Sequence, residues 1–403
     1  MKYIVLIMDG AAGEPLEQLE GQTTLEASMT TLLDMLAQRG AVGMVKTVPD
    51  GLEPSSSTAI TSILGYDPVE NAMGRGAIEA AAMGIRLAPD ELALRVNTLT
   101  IRDDVMASYS CGGISTAESN EIVRRLAEAL NDDTFTLYPG VSYRHILVVK
   151  GHPELLELGY TPPHDISDRS IEGHTPRGEG ATLLHDFMAR ARTLLLDDPT
   201  NAARADRGNL PATDLWPFWP GAAPEGAVPF ADKNGGLTCA LTSGVDLLGG
   251  LAEIFGIDRL EIPEVTGGPD NNFGAQADGG LVALDDHDVV VIHVEAPDEQ
   301  GHAGDVEGKM TAIELIDTKM VSRIFGYAME RGDVRVLVMP DHPTPIARKT
   351  HVADPVPFLL WGAGIEPNGA FAYSEHAAEA TGLVVDPASQ LMGMLLGRDG
   401  GQE

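Results

Sequence analysis

Short apolar runs alternate with stretches of helical spacing along most of the chain. Four runs are rich in β-branched or bulky apolar residues, as strands buried on both faces are, and they lie at 3–8, 289–294, 335–339 and 356–362. Helical spacing is clearest at 25–38, 74–84, 117–130 and 181–196. The alternation predicts an α/β fold with a mostly parallel central sheet and helices on both faces.

One region of the chain, rich in strand-like segments, does not follow this alternation. Residues 92–101, 104–110 and 143–149 have the composition of strands, and prolines and glycines between 162 and 180 indicate where this region ends. We therefore predict a discontinuous core of residues 1–87 and 177–403, and an inserted, smaller α+β domain at 88–176 that covers the substrate. Residues 200–235 are expected to be loop-rich, with aromatic anchors at Trp216, Phe218 and Trp219.

The composition of the chain, and its net charge above all, limits the kinds of molecule that it is expected to bind. The chain has 403 residues, 43% of them hydrophobic, and carries 27 basic against 60 acidic residues, for a net charge of −33. Like-charge repulsion then opposes binding to nucleic acid or to an anionic membrane. A small phosphorylated substrate remains compatible, because bound cations and aimed arginines can reverse the field inside a cleft. Assembly into a homo-oligomer is left open.

The cysteines and the N-terminus indicate a cytoplasmic protein. Cys111 and Cys239 form no disulfide framework and lack the paired spacing of a zinc or redox site. The chain enters a strand-like run at once, without the features of a secretory signal. No segment reaches the roughly 18 consecutive apolar residues of a membrane-spanning helix.

Potential metal ligands lie where predicted strands end or just beyond them. In open α/β sheets, ligands collect outside the carboxyl ends of the strands, where loops converge. The seven candidates are Asp9, Ser56, Asp298, His302, Asp341, His342 and His351. Together they predict a two-metal centre for phosphoryl transfer.

The residue types suit particular ions. Mixed Asp and His ligation favours Mn²⁺ or Zn²⁺, whereas Ca²⁺ and Mg²⁺ prefer oxygen ligands. Two ions about 4 Å apart would hold both oxygens of an in-line displacement. Ser56 precedes a helix-like stretch whose free N–H groups can receive a phosphate. Gly10 and Gly301 are expected to let the backbone approach the ions.

Several of these residues have structural alternatives. Asp9 alone could cap a loop, and Ser56 could be only a helix cap. Ser57 and Thr58 are rival nucleophiles. Three further histidines have no matching partners in the sequence, so structural roles are expected for them: His164, His287 and His293.

Seven short segments carry a resemblance to a known family. They are Met8–Gly10, Ser62–Pro68, Gly74–Gly76, Ser142–His145, Ala296–His302, Asp341–Pro345 and His351–Pro357. In order and register they resemble the archaeal-type cofactor-independent phosphoglycerate mutases of the alkaline phosphatase superfamily. This resemblance implies a phosphatase-like core with an insert, two Mn²⁺-type ions (with Zn²⁺, Co²⁺ or Mg²⁺ as alternatives), a phosphoserine intermediate and a role in glycolysis.

The resemblance also implies roles for single residues. Asp298, His302 and His351 would hold one ion; Asp9, Asp341 and His342 would hold the other. Ser56 falls in the register of the nucleophile. In the insert, Arg144 and His145 match the segment that faces the substrate. Arg75 is either a phosphate anchor or a structural charge.

Two segments depart from the family pattern. Members usually have Gly-Ser-Asp-x-Ala-Asn around the nucleophile, whereas residues 55–60 here are Ser-Ser-Ser-Thr-Ala-Ile. The insert usually carries an Asp-x-Ser-Ala-Gly-His stretch, whereas residues 108–113 are Ser-Tyr-Ser-Cys-Gly-Gly. An acid and an amide are therefore missing beside Ser56, and an acid and an imidazole are missing from the insert.

These departures leave three hypotheses. The first is a phosphoglycerate mutase that interconverts 3- and 2-phosphoglycerate. The second keeps the metal centre and changes the substrate to another small phosphorylated or phosphonate acid, a homoserine-like acceptor, or a phosphomonoester that is hydrolysed. The third is a metal-binding scaffold without catalysis.

Overall fold

The computed structural model describes residues 1–222, 224 and 227–398. In this part of the chain there are thirteen strands: β1 (Lys2–Met8), β2 (Ala41–Val45), β3 (Glu91–Arg102), β4 (Val105–Ser108), β5 (Phe135–Val141), β6 (Arg144–Lys150), β7 (Asp214–Ala222), β8 (Cys239–Thr242), β9 (Asp258–Arg259), β10 (Val289–Val294), β11 (Val334–Met339), β12 (Val356–Gly362) and β13 (Val384–Val385).

The same residues form fifteen α-helices: α1 (Thr24–Ala27), α2 (Thr31–Ala37), α3 (Ser56–Ile63), α4 (Arg75–Ala82), α5 (Thr116–Leu130), α6 (Ala181–Leu196), α7 (Pro199–Asp206), α8 (Phe230–Lys233), α9 (Asp246–Ile254), α10 (Phe273–Ala283), α11 (Ala296–Ala303), α12 (Val306–Leu315), α13 (Ser322–Arg331), α14 (Glu375–Thr381) and α15 (Gln390–Leu396). Short 3₁₀ helices occur at Glu17–Leu19, Pro153–Glu157 and Pro163–Ile166, and a π-helix at Ile316–Val321. None of the described helices is both long enough and apolar enough to cross a membrane.

The chain divides into two compact units. The first contains Met1–Ala72 and Gly226–Glu403, and the second contains Met73–Glu225. The first unit is built on an eight-stranded sheet in the order β13-β2-β12-β11-β1-β10-β8-β9. Only β12 runs antiparallel to its neighbours, so the predicted α/β fold with a mostly parallel sheet is confirmed.

The apolar runs form the middle of this sheet. Ile4, Leu6 and Met8 of β1 pack in one core with alternate residues of β10 and β11 and with helices on that face. The residues between them, such as Val5 and Ile7, are equally buried, so the sheet is covered on both faces. This double burial explains why these strands are continuous in apolar residues and show no alternation.

The sheet order brings the important strand ends together. β1 lies between β10 and β11 and is parallel to both, with Ile7 opposite His293 and Met339. The carboxyl ends of all three strands therefore share one edge of the sheet. Asp9 follows the first of them directly, and the other candidate acids lie just beyond the other two.

The predicted helix at 25–38 is two helices in the structure. Residues 28–30 separate α1 from α2, and Ser28 is extended. The start of α2 is capped from a distance: the Asp317 carboxylate accepts the backbone N–H groups of Leu32 and Leu33 at 3.2 and 2.8 Å. Because this cap comes from 284 residues away, local spacing could not indicate it.

The second unit has its own sheet and core. Its strands follow the order β4-β3-β6-β5, and β7 also pairs with β3, antiparallel to it. Helices α5 and α6 pack on the sheet through residues such as Ile122, Leu126, Leu184 and Phe187. The unit is therefore the separate α+β structure that the strand-like composition and helical spacing of the sequence predict.

This unit is wider than the predicted insert of 88–176. Helix α4 precedes those bounds, and α6, α7 and β7 follow them. The expectation of a loop-rich 200–235 is wrong for residues 200–206, 214–222 and 230–233, which belong to α7, β7 and α8. Strand β7 is held by its pairing with β3, a partner more than 100 residues away, and this buries Trp216 and Phe218.

Candidate metal centre and active site

One cluster in the first unit contains Asp298, His302 and His351. Asp298 and His302 lie one turn apart in α11, so both side chains are on one side of the helix. Nε2 of His302 is 3.1 Å from Oδ2 of Asp298 and 2.9 Å from Nε2 of His351. Nε2 of His351 is in turn 3.5 Å from Oδ1 of Asp298. Three potential ligands thus converge, as the sequence predicted.

A second cluster contains Asp9, Asp341 and His342 and is fully buried. Nε2 of His342 lies 3.6 Å from Oδ1 of Asp9 and 3.3 Å from Oδ2 of Asp341. The other oxygen of Asp341 is fixed by the backbone, because it accepts the N–H groups of Gly10 at 3.1 Å and His342 at 2.9 Å. Only Oδ2 of Asp341 is left for another partner.

Ser56 lies beside both clusters. It is the first residue of α3, and Ser55 caps this helix by accepting the N–H of Thr58 at 3.3 Å. The Oγ of Ser56 is 3.3 Å from Nε2 of His342. The cap function therefore belongs to Ser55, while the hydroxyl of Ser56 points at the cluster.

The seven predicted ligands are brought together, with one difference in grouping. The ligand atoms of Asp298, His342 and His351 lie within 4.8 Å of one another, and so do those of Asp9, His293 and Asp341. His342 stands between the two groups, and His293 joins the second. The division of ligands between two ions stays a prediction.

Unpaired oxygens show that these residues suit divalent cations. Among the described residues, Oδ1 of Asp9 and Oδ2 of Asp341 are buried and have no hydrogen-bond partner, and neither has Oε2 of nearby Glu295. Leaving buried carboxylate oxygens unpaired is costly. Two imidazole-bearing clusters with free carboxylate oxygens between them form a donor set that fits Mn²⁺-type or Zn²⁺-type ions.

The pKa values of the residues in the two clusters reflect the same crowding of negative charge. Burial and the carboxylate of Asp341 raise the pKa of Asp9 well above its usual value, and burial raises the pKa of Glu295 to about 7. Burial opposes ionisation of Asp298 as well, but hydrogen bonds from His302 and His351 hold its pKa below the ordinary value. The hydrogen bond to Asp298 raises the pKa of His302 to about 9. Cations at these positions would relieve the repulsion among the acids.

Sequence reasoning assigned His293 only a structural role, and the structure places it in contact with the centre. Its Nε2 lies 2.7 Å from Oδ2 of Asp9, and burial lowers its pKa to about 4. A signal was present in the sequence: a histidine inside the otherwise apolar run 289–294, five residues before Asp298. A buried strand accepts such a residue only when its ring nitrogens find partners.

Two further features hold the loops of the centre in place. Lys309 has no exposed surface, and its Nζ donates to the carbonyl oxygens of Ala12 at 3.0 Å and Thr344 at 2.9 Å. It therefore joins the loop after β1 to the loop after β11. At Gly10, with φ of 59°, a Cβ would lie 2.5 Å from Oδ1 of Asp298, so this close approach requires glycine.

The predicted substrate residues lie in the second unit. Nε of Arg75 is 2.9 Å from Oε1 of Glu79, and its guanidinium lies 4.0 Å from the ring centroid of Trp219, so it is anchored structurally. Glu79 also pairs with buried Arg95, which the sequence did not single out. Burial lowers the pKa of Arg95, Glu79 opposes this shift, and the nearby charges of Arg144 and Arg75 add to it.

Arg144 and His145 differ in exposure although they are adjacent in β6. Arg144 is exposed, whereas His145 is 1% exposed. Nδ1 of His145 accepts the N–H of Gly140 at 3.0 Å, so its proton is on Nε2, which lies 2.9 Å from Oγ of Ser119. The ring is thus satisfied inside the unit and does not present a free nitrogen to a ligand.

Comparison with known sequences decides the family. A family model described as 2,3-bisphosphoglycerate-independent phosphoglycerate mutase matches residues 37–201. A protein named probable 2,3-bisphosphoglycerate-independent phosphoglycerate mutase, from Geobacter sulfurreducens, is 41% identical over 99% of this chain and 100% of its own length. The mutase of Methanosarcina barkeri is 39% identical over 98% of this chain and 99% of its own. The chain belongs to this family.

Solved structures agree with membership of the phosphoglycerate mutase family. The PH0037 protein from Pyrococcus horikoshii aligns with a TM-score of 0.82 and 26% identity, over 100% of this chain and 99% of that one. The cofactor-independent phosphoglycerate mutase from Thermoplasma acidophilum aligns with a TM-score of 0.70 and 25% identity, over 99% and 100%. The resemblance inferred from the motifs is confirmed, and it places the chain in an enzyme family of the isomerase class.

Proposed function

We propose that this protein is a metal-dependent phosphotransferase that converts 3-phosphoglycerate to 2-phosphoglycerate through a phosphorylated Ser56, without bisphosphoglycerate. The observation that carries the proposal is the position of the Ser56 hydroxyl, 3.3 Å from Nε2 of His342 and beside two clusters of potential ligands. Membership of the mutase family supports the choice of substrate.

We assign Asp298, His302 and His351 to one divalent ion and Asp9, Asp341 and His342 to the other, with Mn²⁺ as the proposed metal because imidazole and carboxylate ligands are mixed. When bound, such ions stabilise charge on a transferring phosphoryl group and lower the pKa of a nearby hydroxyl. Arg144 and Arg75 stay proposed contacts to the substrate, Arg144 being the exposed one.

The proposed reaction exchanges phosphorus–oxygen bonds in two steps. In the first, Oγ of Ser56 forms a bond to phosphorus, the bond to the 3-oxygen of glycerate breaks, and the hydroxyl proton of Ser56 passes to that oxygen. In the second, the 2-hydroxyl oxygen attacks phosphorus, the bond to Oγ breaks, and the proton of the 2-hydroxyl returns to Oγ. Glycerate must remain bound between the steps while water is excluded.

The test is turnover of 3-phosphoglycerate by purified protein with Mn²⁺, followed by mass measurement of the intact chain after rapid mixing. We expect 2-phosphoglycerate to accumulate and a fraction of the protein to gain one phosphoryl group, which maps to the peptide containing Ser56. A protein that binds Mn²⁺ but leaves 3-phosphoglycerate unconverted would reject the mutase assignment.

A second candidate keeps this chemistry and changes the acceptor. The turn at 108–113 has neither the acid nor the imidazole usual for the family, and its hydroxyls are engaged locally. Ser108 accepts the N–H groups of Ser110 and Gly112, and Ser110 accepts that of Gly113. Substrate contacts expected from this segment are therefore absent or different, which favours another small phosphorylated acid.

A panel of phosphate esters and acceptors separates the two candidates. Phosphoglycerates, homoserine-like acceptors with a phosphate donor, phosphonate acids and simple phosphomonoesters are incubated with the Mn²⁺-loaded protein. Isomerisation that is much faster than any phosphate release supports the mutase. Steady release of phosphate, or transfer to a homoserine-like hydroxyl, supports the second candidate.

A further inference from the structure

His293 is a buried histidine with a partner at each ring nitrogen. It lies in β10, whose six residues are all buried, and none of its own surface is exposed. Nε2 lies 2.7 Å from Oδ2 of Asp9, and Nδ1 lies 2.9 Å from Oγ of Ser243. The ring thus connects the end of β8 to the acid that follows β1.

The two partners of the ring, an ionised carboxylate that only accepts and a hydroxyl that can donate, together indicate which ring nitrogen carries the proton. The backbone N–H of Val245 donates to Oγ of Ser243 at 3.0 Å, which leaves the hydroxyl proton available for the ring. When that proton is donated to Nδ1, the neutral imidazole carries its own proton on Nε2. Nε2 then donates to Oδ2 of Asp9. The opposite tautomer would direct a nitrogen lone pair at a carboxylate oxygen.

The frame around this contact is rigid. His293 is opposite Ile7 in the paired strands, and the N–H of Asp9 donates to the carbonyl of Val294 at 3.0 Å. The side chain of Gln276 donates to the carbonyl oxygen of His293 at 2.8 Å, and Asn271 donates to Gln276 at 2.8 Å. Donor and acceptor are therefore both held by the central sheet and its neighbours.

We infer that His293 is a positioning residue that holds Oδ2 of Asp9 and thereby presents Oδ1 to a divalent ion. The inference rests on the proposed two-ion centre. It explains why one oxygen of Asp9 has a short contact to an imidazole while the other is buried without a hydrogen bond, 3.6 Å from Nε2 of His342. Groups that bond to the far side of a metal ligand fix its orientation in this way.

Direct ligation by His293 is the competing arrangement. Its ligand atom lies within 4.8 Å of those of Asp9 and Asp341, so distance alone permits it. As a ligand, however, Nε2 needs its lone pair for the ion, and the ring proton must then be on Nδ1, donated to Ser243. The two arrangements require opposite tautomers and respond differently to substitution.

The experiment measures Mn²⁺ binding to metal-stripped protein by electron paramagnetic resonance, without substrate. The variants are His293→Ala, His293→Gln and Ser243→Ala, and the control is His287→Gln, a histidine two residues before the start of the same strand that bonds to Asp258. We expect His293→Ala to weaken one of two Mn²⁺ sites by about 10–100-fold and the other by less than about threefold. The control retains both affinities.

Glutamine separates positioning from ligation. Its amide N–H can replace the Nε2 donor, so His293→Gln should bind Mn²⁺ within about threefold of the parent protein. The number of nitrogen nuclei coupled to Mn²⁺ should not change. Ser243→Ala should weaken the same site as His293→Ala, and by less, because it removes only the group that selects the tautomer.

Different results would contradict the positioning role of His293 and the two-ion centre. Loss of a coupled nitrogen in His293→Gln, with affinity as low as in His293→Ala, would show ligation. Unchanged Mn²⁺ affinities in a folded His293→Ala or Ser243→Ala protein would also overturn the inference. If the parent protein itself bound no Mn²⁺, the proposed two-ion centre would fall, and with it the function proposed above.

Discussion

The two compact units treat buried charge in opposite ways. In the first, Asp9 and Asp341 each leave one buried oxygen without a hydrogen bond. In the second, both oxygens of Glu79 contact Nη1 of Arg95, at 2.7 and 2.8 Å, and the ring nitrogens of His145 are satisfied by neighbours. Unpaired buried carboxylate oxygens are expensive, so their concentration in one place among the described residues indicates a site for ligands, whereas satisfied groups indicate structure.

The largest effect that we predict concerns the hydroxyl of Ser56, which lies beside the unpaired acids. We expect Ser56→Ala to lower turnover by about 10⁴-fold or more, because removing a nucleophile removes the covalent route. Ser57→Ala should retain most activity, since the Oγ of Ser57 is 3.0 Å from that of Ser55, in the capping group of the helix. Steady-state assays of both variants check this, and a reversed order would make Ser57 the nucleophile.

The next test compares one acid from each unit. Asp341→Asn keeps the oxygen that accepts two backbone N–H groups and replaces the unpaired one by a neutral amide. We expect the Mn²⁺ affinity to fall by about 100-fold or more, because changing a ligand should cost at least as much as removing a group that bonds behind one. The stability of the metal-free protein should not fall, because repulsion with Asp9 decreases.

The matched change in the second unit is Glu79→Gln. It removes the charge that pairs with Arg95, whose side chain is only 8% exposed. We expect a loss of about 1.5–3 kcal/mol in the free energy of unfolding, the range for hydrogen bonds to charged groups, with Mn²⁺ affinity unchanged. Urea unfolding and metal titration of Asp341→Asn and Glu79→Gln give the free energy of unfolding and the Mn²⁺ affinity of each variant. An equal effect of both substitutions on metal binding would contradict the comparison.

Lys309→Met tests the joint between two loops of the centre. The substitution removes the Nζ donor from the carbonyl oxygen of Thr344, at a cost of about 1–3 kcal/mol for an unsatisfied group, whereas the carbonyl oxygen of Ala12 still accepts the N–H of Thr344 at 3.1 Å. Thermal and urea unfolding of the metal-free protein measure this. A more stable Lys309→Met protein would show that burying the ammonium group costs more than its two hydrogen bonds return.

The smallest expected effect on catalysis concerns His145. His145→Ala should destabilise the protein by about 1–3 kcal/mol, because Gly140 and Ser119 lose a buried partner. The KM for 3-phosphoglycerate should remain within about threefold. A large rise in KM without loss of stability would instead support the substrate-facing role that the family resemblance implies.

The sequence was informative wherever function coincides with a strand end. Asp9, Asp298 and Asp341 could be predicted as neighbours, because apolar runs of parallel strands end at one edge of a sheet. His302 and His351 followed from helical spacing and from the family motifs. Ser56 lies beside these residues in the structure, although its rivals differ from it by only one or two positions.

The residues that sequence reasoning missed all depend on distant partners. The position of His293 in an apolar run shows that its ring needs partners, but not that one of them is Asp9. Nothing local shows that Lys309 meets two carbonyl groups. Arg95 has its partner 16 residues away in another element. The break between α1 and α2 depends on Asp317, and β7 depends on β3, so local spacing could predict neither.

The sequence by itself determined the class of fold, the family and the kind of chemistry, because periodicity, composition and motif order are local properties. Tertiary structure decided which polar groups are satisfied and which are left open. That difference depends on distances between residues far apart in the chain: the hydrogen bond that occupies one oxygen of Asp9 comes from a residue 284 positions away. Only folding brings these groups together, and only then does an acid with one free oxygen become a candidate ligand.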